Sequence, residues 1–100
     1  MPSGKGTKRS KKKSLKLFGH KVTVEDDATL LDRDRWGEYD AIEMSIRLYH
    51  KMPQSKRREV LIHECLHAVC DAIGEDIEHK TIRSVAHGLA QMLDGYLKKV

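Results

Sequence analysis

The stretch Leu61-Ile62-His63-Glu64-Cys65-Leu66-His67-Ala68-Val69-Cys70-Asp71 restricts the fold more than any other part of the chain. Projected at about 100° per residue, His63, Glu64, His67 and Asp71 fall in one stripe about 100° wide. Leu61, Ile62, Cys65, Leu66, Ala68, Val69, Cys70, Ala72 and Ile73 fill most of the remaining circumference. A helix apolar on nearly every side is expected to be buried, so its polar stripe must line a cleft or be paired inside the protein. Pro53-Gln54-Ser55 suits the start of that helix and Gly74 its left-handed stop.

Inside the stretch stands His-Glu-x-x-His. Two imidazoles one helical turn apart can address a single divalent ion. Glu64, about a quarter turn away, misses the ion yet reaches a water beside it, the position of a general base. Two histidines satisfied by hydrogen bonds in a core are the bland alternative. Zinc in a catalytic site takes three protein ligands, so a third donor is needed. Glu78, His79 and His87 all follow the motif. His79 is favoured, because neutral imidazole suits zinc, with Glu78 as the alternative; His87 projects off the packed stripe of its own helix. The longer pattern with glycine and a third histidine on the same helix is excluded, since Cys70 and Ile73 occupy those places. Asp71, one turn after His67, is placed to accept the distal N–H of that ring and fix its orientation, or else is a surface carboxylate.

A hundred residues make one domain near the small end of what buries an adequate core, and a bound metal would help hold it together. The formal charge of +4 conceals an asymmetry: residues 1–21 hold eight Lys or Arg and no acid, which leaves −4 on residues 22–100. Residues 1–14 have no aliphatic side chain after Met1 and read as a disordered basic tail, with the folded domain at 15–100. The Lys-rich stretch 5–16 could touch nucleic acid through phosphates, although no aromatic is interleaved for base stacking. No signal peptide or membrane span is visible, so a cytoplasmic protein without membrane attachment is expected. Cys65 and Cys70 are spaced for neither a metal knuckle nor a redox pair and read as small buried hydrophobes.

Leu17, Val22 and Val24 alternate around Gly19, consistent with a bent strand or tight hairpin. Residues 26–35 are too charged for a core. Ile42, Met44, Ile46 and Leu48 alternate with Glu43, Ser45, Arg47 and Tyr49, which reads as a strand over 42–49 with one buried face. At a sheet edge that strand would accept an extended peptide. After a turn at 75–77, Ile82, Val85, Ala86, Leu89, Leu93, Tyr96 and Leu97 mark a second helix to about Lys98, antiparallel to the first. Tyr39, Tyr49, Arg83 and His87 are candidates to stabilise a transition state; Trp36 and Tyr39 read as packing residues, and His20 and His50 as ordinary polar side chains.

The alternating strand, the helix reading Leu-Ile-His-Glu-x-x-His-Ala over 61–68, and the second helix with Glu78-His79 before Ile82-x-x-Val85-Ala86-x-Gly88-Leu89 resemble the minimal zincin metallopeptidases. More narrowly, residues 15–97 are similar to small phage- and prophage-encoded proteins near the ImmA/IrrE and SprT-like groups. The resemblance implies an α+β fold, a short and mostly antiparallel sheet packed on a buried motif helix with an antiparallel C-terminal helix. It also implies zinc (Zn2+) held by His63 and His67, Glu64 as general base, a protein or peptide substrate cleaved by metal-activated water, and a phage-infected bacterial host as the setting. Relatives often place a glutamate where Glu78 and His79 adjoin, so the third ligand stays open. Two other classes remain: a non-catalytic, zinc-stabilised module that binds nucleic acid or protein through its tail, and a hydrolase of a non-peptide bond.

Overall fold

The computed structural model describes residues 12–98, and the chain divides into two compact units between His50 and Lys51. The first unit is a four-stranded mixed sheet and the second a pair of packed helices, so the chain is α+β.

In the first unit β1, Lys13–Leu17, and β2, His20–Asp26, form a hairpin with Lys13 opposite Val24. Lys13 and Ser14, expected in the tail, therefore belong to a strand, because ladder pairing uses backbone groups and needs no apolar side chain. The rest of the basic stretch, up to residue 11, lies outside the described residues. Phe18 and Gly19 both have positive φ, 51° and 82°, the paired left-handed turn whose twist matches its flanking strands.

The strand expected over 42–49 is half that length. β4 spans Ser45–Leu48 and pairs antiparallel with β3, Gly37–Asp40, which the sequence reading missed. Ile42 is 95% exposed, in the turn between them. There the Asp40 Oδ1 accepts the N–H groups of Ile42 and Glu43 at 2.9 and 3.1 Å, and Met44 takes φ 52°. A side chain that captures backbone donors in this way offers an alternative to the ladder, and the apolar alternation of Ile42 and Met44 does not survive it. On its other side β4 runs parallel to β2, giving the order β1-β2-β4-β3. β4 is thus an interior strand, and its backbone groups are not open to an added peptide strand.

Val22, Val24, Ile46 and Leu48 are buried, joined by Leu30 with no exposed surface at all. Leu30 corrects the expectation that residues 26–35 hold no core. The Asp27 carboxylate accepts the Thr29 N–H at 2.9 Å and its hydroxyl at 2.6 Å, and these bonds hold the Asp27 carboxyl below its usual range. They turn the chain into a 3-10 helix, Leu30–Arg33, whose first side chain is the buried one. Between Ile46 and Leu48, Arg47 reaches Glu25, Glu38 and Glu43 at 3.5, 3.4 and 3.2 Å. Against partial burial, that acidic surround raises its proton affinity.

In the second unit α1 spans Gln54–Ile73 and α2 spans His79–Lys98. Gly74 ends α1 at φ 74°, with its N–H on the Asp71 carbonyl and the Glu75 N–H on the Cys70 carbonyl. This pair of bonds satisfies carbonyls the helix would leave open, and glycine adopts the conformation without strain. Cross-helix contacts join Arg58 to Asp94, Glu59 to His87, and His63 and His67 to His79. The partner number falls as the α1 number rises, so the helices are antiparallel. Ile82, Ala86 and Ala90, four apart, form the buried stripe of α2. On α1 only Glu64, Ala68 and Cys70 are buried, whereas Leu61, Ile62, Leu66 and Val69 are half-buried and Ile73 is exposed. The helix is less enclosed than its apolar circumference suggests. Among the described residues no helix is long and apolar enough to cross a membrane.

Candidate metal centre

Helix geometry alone brings His63 and His67 together, four residues apart on α1. Their Nε2 atoms are 3.2 Å apart. The third member needs the turn. Gly74 reverses the chain, the Glu78 carbonyl accepts the Ile82 N–H, and His79 becomes the first residue of α2. Its ring lies with its centroid 4.8 Å from that of His63 and 5.2 Å from that of His67. One nitrogen of each imidazole falls within 4.8 Å of the other two, a group that can hold a metal ion.

The electrostatics favour the form that binds metals. Burial, followed by the proximity of His67 and His79 and then of Arg83, lowers the proton affinity of His63 against the opposing pull of Glu59. Burial and His79 do the same for His67. Neutral imidazoles keep a lone pair free for coordination. Glu64 is among the few buried polar side chains, 8% exposed between the two motif histidines in sequence. Burial, with the Glu64 charge behind it, pushes the Cys65 thiol up, and both cysteines are free.

The remaining candidates separate clearly. Glu78 is exposed and is not part of the three-histidine group. His87 is engaged elsewhere, its Nδ1 3.1 Å from Glu59 Oε1. Asp71 is exposed, and among the described residues no hydrogen bond joins its carboxylate to the His67 ring. Tyr39 and Tyr49 belong to the strand unit, where the Tyr49 ring meets Trp36 edge-on at 5.9 Å; Trp36 itself is 43% exposed rather than core. His20 and His50 are exposed. Glu59 was not singled out from sequence, yet it holds His87 and acts on His63. The available signal was its place one turn before His63, beside the polar stripe.

No family model matches the chain. Nor does any curated protein or solved structure match it.

Proposed function

We propose that the chain is a zinc-dependent hydrolase of peptide bonds, with His63, His67 and His79 as the ligands and Glu64 as the general base. The observation that carries this reading is the arrival of a third imidazole, from the head of α2, at the two supplied by α1. The donor set fits zinc. Zn–N bonds of about 2.0–2.1 Å in a tetrahedral site separate neighbouring nitrogens by about 3.3 Å. The His63–His67 pair already stands at 3.2 Å. Three protein ligands also leave a place for water or substrate, as catalytic sites require.

Zinc bound there would supply Lewis acidity, lowering the pKa of water toward neutrality and polarising a carbonyl. The three imidazoles would hold the ion in their neutral form. Glu64 takes the proton from the attacking water and returns it to the leaving amine, a task that suits a carboxylate held apart from bulk solvent. The test is Glu64→Gln in the full chain, read by zinc content, circular dichroism and cleavage of a peptide library. Cleavage should disappear while zinc content and helicity stay near wild type; unchanged cleavage would refute the assignment.

The same cluster favours one other reading, because it ties the middle of α1 to the start of α2 and an ion there would also clamp the hairpin. A purely structural zinc predicts that Glu64→Gln has no phenotype while His63→Ala unfolds the helical unit.

A further inference from the structure

The side of α2 that meets the histidines carries one more chemically capable side chain. His79, Arg83, His87 and Asp94 fall within about 80° of one another around the helix. Three of them are engaged with α1: His79 with the His63 and His67 rings, His87 with Glu59, and Asp94 with Arg58. Arg83, one turn beyond His79, is exposed and makes no ion pair or hydrogen bond among the described residues. Four residues apart on one helix, Arg83 and His79 are neighbours on that face, and His79 is the residue of α2 that meets the His63 and His67 rings. The acid beside His63, Glu59, is taken by His87.

We propose that Arg83 anchors a carboxylate of the substrate next to the three-histidine group. The proposal rests on the peptide-hydrolase reading of that group and adds the chemistry of what it accepts. A guanidinium presents a rigid fork of donors matched to a carboxylate, and the fork of Arg83 is open to an incoming group. Four residues along a helix rise about 6 Å, whereas one extended residue spans at most about 3.6 Å. The carboxylate recognised by Arg83 is therefore one or two residues from the bond that is cut. It is either the free C-terminus of a short peptide or an acidic side chain close to the scissile bond.

The experiment measures equilibrium binding by calorimetry to full-length Glu64→Gln protein, with and without zinc, so that no cleavage intervenes. Three N-acetylated peptides share one sequence: the first ends in a free carboxylate, the second in an amide, and the third in an amide preceded by aspartate. The first or third peptide should bind about tenfold tighter than the neutral amide, and which of them does so identifies the source of the carboxylate. Adding Arg83→Gln should erase that preference with zinc content unchanged, and Arg83→Lys should recover part of it. Equal or undetectable binding of all three peptides, or a preference that survives Arg83→Gln, overturns the anchor. A protein that takes up no zinc but still discriminates through Arg83 would instead sink the hydrolase reading and leave the carboxylate site standing.

Discussion

Replacing His79 with alanine is the most direct probe of the three-histidine group, because the side chain is exposed at the first position of α2 and alanine is a strong helix former. The fold should therefore survive, and the effect should fall on the metal. Four-ligand structural zinc sites have apparent binding free energies of about 10–16 kcal/mol, or about 2.5–4 kcal/mol for each donor. Loss of one imidazole from this group should weaken zinc by roughly 10²–10³-fold. The assay is competition with a chromogenic chelator at fixed pH, run beside Glu78→Ala and His87→Ala. Those two should stay within about twofold of wild type, since neither side chain belongs to the group and His87 is held by Glu59. Equal losses for His79→Ala and His87→Ala, or a greater loss for Glu78→Ala, would refute the ligand set.

Proton competition gives a second expectation. Both motif rings are harder to protonate in the folded chain than at their ordinary value of 6.5, so the unfolded chain takes up protons first as the pH falls. The metal-free helical unit should accordingly lose stability as the pH drops through about 6.5 and gain nothing from these rings above it. Thermal melts from pH 8 to pH 5 would show this, and a melting temperature that rises toward pH 5 would contradict it. Ser45 is buried in the sheet with its Oγ unpartnered among the described residues, so Ser45→Ala should be neutral or stabilising by up to about 1 kcal/mol. Urea unfolding followed through Trp36, the one tryptophan and a member of the same unit, checks it. Gly74→Ala forces a side chain into φ 74° and should cost the helical unit about 1 kcal/mol, visible as an earlier loss of helical dichroism.

What could be read along the chain was what local geometry fixes. An i, i+4 spacing sets His63 above His67 on any α-helix, a glycine past the last apolar turn stops that helix, and the short link places His79 at the head of the next one. A bend at Gly19 was legible too, as a bent strand or a tight hairpin, and the pairing of β1 with β2 made it the hairpin. Where pairing partners are distant, the pattern misled. The alternation from Ile42 to Tyr49 suggested one long strand, but Asp40 captured the backbone of Ile42 and Glu43, and a two-strand hairpin formed around that turn. Leu30 sat unremarked in a charged segment because burial depends on where a 3-10 turn places a side chain, which composition does not record.

The three donors that follow the motif show the division most sharply. Residue type left Glu78, His79 and His87 all chemically able, and helical projection ranked them without resolving them. Antiparallel packing of α2 on α1 brought His79 to the motif rings and set His87 against Glu59, one contact further along the same interface. The sequence by itself determined the pair of imidazoles, because four residues of one helix suffice to hold them in register. Only the tertiary structure decided the third, because its position depends on how two helices separated by a turn pack against each other.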